Sequence, residues 1–246
     1  IINCEPGVWV NLEYDAVLDI SYQGILDCYH QGNELVAPYH VDIVSVHDPD
    51  EYITMGLNEN EINIKKKDVL EAYRALIELK QQGLVESIGV GSKDPKTIEY
   101  ISNNCILDWV MLACHLTLYT HTEYVIELLH TLTKKNIHII NAAVFNSGFL
   151  IGEEFYDYMK ILKKDHLVLF EWRDNFNKSC KELNLIPAHV CIQYSYLYPE
   201  IHTIALNATS IEQVKNNNSM VNTPLSMTIW EKLLYNKVIS HIPTCD

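Results

Sequence analysis

Five clusters of small and polar residues follow apolar runs along this 246-residue chain. They are His47-Asp48, Gly91-Ser92-Lys93-Asp94, Ala113-Cys114-His115, Phe145-Asn146-Ser147-Gly148 and Asn207-Ala208-Thr209-Ser210. A histidine such as His47 can exchange a hydrogen bond or a proton with a ligand oxygen near neutral pH, although a single imidazole is more often structural than catalytic. Thr209-x-x-Glu212 and Ser210-x-x-Gln213 are overlapping capping boxes, so a helix begins there. Its free N–H groups and dipole suit an anion such as phosphate. The same hydroxyls also serve as plain caps, and the pattern alone does not choose between the two roles. Metal chemistry is not expected. His115 and His121 lie six positions apart and His40 and His47 seven apart, and neither spacing makes a helical H-x-x-x-H pair.

The elements that hold these clusters follow from periodicity. Residues 41–47 alternate, are rich in β-branched side chains and stop at Asp48-Pro49, which predicts a strand. Asp68 opens a helix with Val69, Tyr73, Leu76, Ile77 and Lys80 at helical spacing and Gly83 as its stop. Further strands are expected at 85–90, 107–113, 137–143 and 201–206. Helices are expected from Ser21 to about Leu35, at Asp94-Pro95, at Thr122, at Asp165, at Pro187, after Thr209-Ser210, and over 230–238. A polar and aromatic connection fills 146–164. Strand and helix alternate five times, and the strands are nearly unbroken apolar runs, as when both faces are buried. This is the pattern of parallel βαβ units, doubly wound or closed into a barrel. No G-x-G-x-x-G follows the first strand, which argues against a doubly wound dinucleotide-binding sheet, and no G-x-S-x-G marks a hydrolase nucleophile. In a barrel the five clusters fall at the C-terminal ends of strands, where working groups sit.

Composition narrows the partners. Lys and Arg number 18 against 32 Asp and Glu, for a net charge of −14. So acidic a chain is not expected to bind nucleic acid, whose phosphates need clustered cations. No run approaches the ~18 apolar residues of a membrane span. The seven cysteines show no C-x-x-C spacing and sit mostly in apolar stretches, as reduced core thiols of a cytoplasmic protein would.

Taken in register, Val41-Asp42-Ile43-Val44-Ser45-Val46-His47-Asp48, Gly83-Leu84-Val85-Glu86-Ser87-Ile88-Gly89-Val90-Gly91 and Phe145-Asn146-Ser147-Gly148-Phe149-Leu150 resemble the aldo-keto reductase superfamily. Glu5-Pro6-Gly7-Val8-Trp9, Ile20-Ser21-Tyr22-Gln23-Gly24-Ile25, His47-Asp48-Pro49-Asp50-Glu51-Tyr52 and Asp108-Trp109-Val110-Met111-Leu112-Ala113 are similar to its sugar dehydrogenase branch, of the D-threo-aldose 1-dehydrogenase, L-fucose dehydrogenase and pyridoxal 4-dehydrogenase type. The resemblance implies a (β/α)8 TIM barrel, with residues 1–246 as one barrel domain that carries strands four to eight and lacks the first three βα units. It implies hydride transfer with a nicotinamide cofactor and oxidation of an aldose at its anomeric carbon to a lactone, so the partner would be a small-molecule sugar or aldehyde.

The superfamily uses an Asp, a Tyr, a Lys and a His, and only the His carries over, to His47. Tyr22 and Asp19 match the helix before that strand rather than the catalytic positions. A chain without the other three residues has the alternative reading of a catalytically incompetent protein with at most a partial cofactor groove. By resemblance Ser92 and Lys93 meet the nicotinamide carboxamide, although Asn is usual where Ser92 stands. Asn146, Ser147, Gly148 and Leu150 match the loop over the pyrophosphate, and Asn207, Ala208, Thr209, Ser210, Gln213 and Asn217 match the adenosine-binding segment. NADPH-preferring members carry Lys and Arg where this chain has Asn207 and Gln213, which favours NAD over NADP. An aromatic that stacks on nicotinamide in many members falls at Ala142, and a Gln often found near Ala113 is absent.

Overall fold

The computed structural model describes residues 17–243, so Glu5-Pro6-Gly7-Val8-Trp9, Cys4 and Cys245 lie outside the described residues. Its strands are β1 (Ile43–His47), β2 (Ser87–Ser92), β3 (Trp109–Ala113), β4 (His138–Ala142), a small hairpin of β5 (Phe155–Tyr156) and β6 (Met159–Lys160), and β7 (Thr203–Ala205). Five of them form one sheet in the order β1-β2-β3-β4-β7, with every pairing parallel. Consecutive parallel strands joined through helices are the wall of a (β/α)8 barrel, and this sheet is a five-strand portion of one. Among the described residues β1 and β7 are its edges.

Nine α-helices accompany the sheet among the described residues. They are α1 (Tyr22–Val36), α2 (Pro49–Thr54), α3 (Glu59–Gln81), α4 (Pro95–Asn104), α5 (Glu123–Lys134), α6 (Leu167–Leu183), α7 (Pro187–Ser195), α8 (Ile211–Val221) and α9 (Met227–Tyr235). Most begin where a short polar side chain can satisfy a free N–H. Ser21, Asn58, Asp94, Thr122 and Ser210 each accept from the backbone of the helix they open. The helices seal one face of the sheet. Val46, Ile88, Val90, Val110, Leu112 and Ile139 are buried there with Val69, Leu76 and Leu79 of α3, Ile98 and Ile101 of α4, and Leu128 and Leu132 of α5. The opposite face, which would be a barrel's interior, is more open, and Ile43 at its edge is 60% exposed. Gly89 lies against the Trp109 indole on that face, and any Cβ there would overlap the ring.

Several boundaries differ from the sequence expectation. Helix α3 starts at Glu59 rather than Asp68, with Asn58 accepting from the Glu61 N–H at 3.0 Å. The first turns of α3 are mostly polar and leave no apolar period to read. Asp68 accepts instead from the Tyr52 phenol at 2.7 Å, which ties α3 to the unpredicted helix α2. Asp165 sits in a single 3-10 turn, and α6 begins at Leu167 without a side-chain cap. The last helix begins at Met227 rather than Trp230, and α7 ends at Ser195. No described helix is long and apolar enough to cross a membrane. Cys28, Cys105, Cys114, Cys180 and Cys191 are free thiols.

Candidate active site

The strands deliver their polar clusters to one end of the sheet. His47 closes β1, Ser92 closes β2, and Lys93 follows directly. His47, Asp48, Glu51, Lys93 and Tyr158 line a cavity of about 330 Å³, to which the strands add Met111 and the small residues Gly91, Ser92, Ala113 and Ala142. The His47 side chain is 90% exposed, with Nε2 3.5 Å from the Asp48 carboxylate. Asp48 holds a left-handed backbone, with φ at +40°. Burial raises its carboxyl above the ordinary value; His47 and Lys93 oppose the shift, while Asp50 and Glu51 reinforce it. Lys93 Nζ lies 3.2 Å from Glu51 and 5.8 Å from the centre of the Tyr158 ring. Burial works against its charge, but Glu51, Asp50 and Asp157 outweigh that and raise its pKa. The cavity thus holds an exposed imidazole beside a firmly protonated ammonium.

A second and larger cleft, of about 780 Å³, shares Tyr158 with the first. One wall is the loop after β4, with Phe145, Ser147 and Gly148, and the other is the segment between β7 and α8, with Asn207, Ala208, Thr209 and Gln213. The loop runs through left-handed conformations at Ala143, Asn146, Ser147 and Gly148. Three of these carry side chains that rarely adopt such angles, and the backbone strain is held by its surroundings. Asn146 supplies much of the hold: its buried amide accepts from Thr117 Oγ1 at 2.6 Å and donates to the Cys114 carbonyl at 3.3 Å. Gly148 combines a φ of +92° with the side chain of Glu153 where a Cβ would stand, so only glycine fits. On the facing wall Ser210 caps α8 by accepting from the Gln213 N–H, and Gln213 Oε1 accepts from Thr209 N at 2.6 Å and Thr209 Oγ1 at 3.0 Å. Among the described residues this cleft has no Lys or Arg in its lining.

The residues singled out from sequence therefore divide. His47, Ser92 and Lys93 meet in the smaller cavity, and Ser147, Gly148, Asn207, Ala208, Thr209 and Gln213 meet in the larger cleft. Asn146 and Leu150 are buried behind the loop, Ser210 is engaged as the cap of α8, and Asn217 donates to the Asn207 carbonyl at 3.2 Å. These four support the walls rather than line them. Ser92 is 3% exposed, and its hydroxyl donates to the buried Asp50 and accepts from the Asp94 N–H, so both its functions are engaged within the protein. Tyr22 donates to Glu78 in the outer helical layer, and Asp19 accepts from the Ser21 N–H. No three His, Cys, Asp or Glu among the described residues gather closely enough to hold a metal ion.

Sequence reasoning missed Tyr158. It occupies the tip of the β5–β6 hairpin, where Asp157 and Tyr158 have φ of +49° and +63°. A two-residue loop with both φ positive is usually announced by Asn-Gly or Asp-Gly. Here a tyrosine holds the glycine position, so the turn signal was only half present.

Comparison with known proteins places this architecture. A model of the Aldo/keto reductase family matches residues 9–233. The chain is 23% identical over 237 residues to a pyridoxal 4-dehydrogenase of Microbacterium luteolum, covering 94% of this chain and 67% of that protein. In structure it is similar to the holo form of an aldo-keto reductase from Bacillus halodurans, with a TM-score of 0.62 and 18% identity over 89% of this chain and 68% of the other. A glycerol dehydrogenase from Gluconobacter oxydans gives a TM-score of 0.60 and 16% identity over 93% and 69% of the two chains.

Proposed function

This chain belongs to the aldo/keto reductase family, and on that premise we propose that it is an NAD(P)-dependent oxidoreductase whose substrate, an aldose, is oxidised at the anomeric carbon to a lactone. The observation that carries the reading is that the two cavities share one lining residue. The exposed His47 and the cation of Lys93 stand in a small chamber whose Tyr158 also lines the extended cleft. A sugar-sized group suits the chamber, and an extended dinucleotide suits the cleft. We further propose that residues 1–246 act as a single barrel domain in the cytoplasm.

The donor set of the cleft fits such a cofactor. The hydroxyl of Ser147 and the amides of Asn207 and Gln213, with the N-terminal end of α8, are neutral donors for a diphosphate and ribose, while Thr209 gives its N–H and hydroxyl to Gln213. Apolar Val144, Phe145, Ile151 and Leu206 offer surface to the bases. A 2′-phosphate would find no cation there, on a chain already at −14, which supports NAD over NADP. When bound, the nicotinamide supplies a hydride acceptor for the alcohol or a hydride donor for the carbonyl. Among the chain's own residues, the His47 imidazole would hydrogen-bond the substrate hydroxyl, orient it and take its proton as the hydride leaves the anomeric carbon. Lys93 would meet the nicotinamide carboxamide, as the resemblance implies.

One observation favours a second reading, that of a chain that binds the dinucleotide without turnover. The strand bearing His47 has, among the described residues, a strand neighbour on one side only, and the barrel-facing side of the sheet is partly open. Water then competes for the His47 hydrogen bond. The experiment that tests the proposal is nicotinamide absorbance on mixing the purified chain with NAD or NADP and L-fucose, D-arabinose, pyridoxal or glycerol. Reduction of NAD by an aldose supports the main reading. Binding without reduction supports the second, and neither binding nor reduction contradicts both.

A further inference from the structure

We infer that Tyr158 is a positioning residue that forms the aromatic wall against which a planar ring, the nicotinamide of the dinucleotide, stacks at the junction of the two cavities. The inference rests on the cofactor reading above. From the sheet, the chamber receives Gly91, Ser92, Met111, Ala113 and Ala142, none of which presents a flat aromatic face. Tyr158 lines both the chamber and the cleft, and it comes from the hairpin rather than from a strand. A planar group held at the Tyr158 side of the chamber meets this phenol ring.

The backbone under the ring is fixed. Asp157 and Tyr158 are both left-handed at the hairpin tip, and the Tyr158 N–H donates to Ser147 Oγ at 2.7 Å. A non-glycine residue kept at positive φ persists where the surroundings determine it. The ring itself is 58% exposed, so its faces are not consumed by the core. Lys93 Nζ, 5.8 Å from the ring centre, keeps positive charge close to its π-face. Burial holds the phenol above the ordinary tyrosine value, with Cys114 and Asp48 reinforcing and Lys93 opposing, so Tyr158 stays a neutral, flat surface near neutral pH. Stacking of a heteroaromatic ring on such a surface accounts for roughly a ten-fold change in affinity.

The test is fluorescence titration of the purified chain with NADH, with competition by ADP-ribose, which lacks the nicotinamide. It uses Y158F, Y158L and Y158A, each checked by thermal melting. The expected result is NADH affinity within about two-fold of the parent for Y158F and at least about ten-fold weaker for Y158L and Y158A, with ADP-ribose affinity unchanged in all three. Unchanged NADH affinity in Y158L and Y158A overturns the inference. So does an equal loss for NADH and ADP-ribose, which would make the hairpin a structural support only. A parent chain that binds neither ligand contradicts the cofactor reading itself, and the inference falls with it.

Discussion

The backbone N–H of Tyr158 donates to Oγ of Ser147 at 2.7 Å, which ties the tip of the β5–β6 hairpin to the loop after β4. The bond joins the residue shared by both cavities to the strained loop that walls the larger one. Ser147→Ala removes it. We expect the fold to persist, because the bond is exposed, and dinucleotide affinity to fall by about five-fold, near 1 kcal/mol. Calorimetric titration of NADH against parent and variant measures this, and parent-like affinity would show that the tie is dispensable.

His47 stands at the open end of β1 with its ring almost wholly exposed, so its removal costs the fold little. In the proposed reading the imidazole acts on the substrate oxygen rather than on the dinucleotide, so His47→Gln is expected to lower turnover about 100-fold and to leave NADH affinity unchanged. Steady-state kinetics beside a binding titration separates the two effects. Undiminished turnover would remove His47 from the chemistry.

Among the described residues the cleft lining has no Lys or Arg, and the proposed preference for NAD rests on that. Asn207→Lys places an ammonium beside the adenosine end, while the Asn207 carbonyl that accepts from Asn217 is retained. We expect the ratio of NADPH to NADH affinity to rise about ten-fold, most strongly at low salt. Parallel titrations at two ionic strengths check both the size and the salt dependence.

Burial lowers the pKa of His121, with His241 adding to the shift and the Thr117 carbonyl opposing it. Its Nδ1 lies 3.1 Å from that carbonyl and its Nε2 3.4 Å from Ser240 Oγ, and Tyr194 packs on the ring. Above the ordinary value of 6.5 the imidazole is neutral in both folded and unfolded chains, and stability is independent of its titration. As pH falls through that value the unfolded chain takes up the proton first, and stability is lost until the folded pKa is passed. His121→Gln should flatten the fall in Tm as the pH drops below the ordinary value of 6.5. An unchanged slope would exclude His121 as its source.

Much of this arrangement was legible in the sequence, and the residues show why. The five sheet strands were readable because short β-branched apolar runs look alike wherever they occur, as at Val44, Val46, Ile139 and Ile204. The caps at Ser21, Asp94, Thr122 and Ser210 were readable because a free N–H wants a short oxygen side chain. The early start of α3 was hidden because Glu59, Asn60, Glu61 and Lys65 to Lys67 have no apolar rhythm. The hairpin tip was hidden because Asp157-Tyr158 departs from the usual turn pair, and with it went the residue at the junction of the site. Sequence registers also do not distinguish a side chain that lines a cleft from one that braces it, which is why Asn146, Leu150, Ser210 and Asn217 stood beside Ser147 and Thr209.

Hydrogen–deuterium exchange on adding NADH tests most directly whether the two walls hold a dinucleotide together. The account predicts slowed exchange in 91–93, 143–158 and 205–213, with little change in α5 or α9. Slowed exchange confined to other segments, or none at saturating NADH, would contradict it.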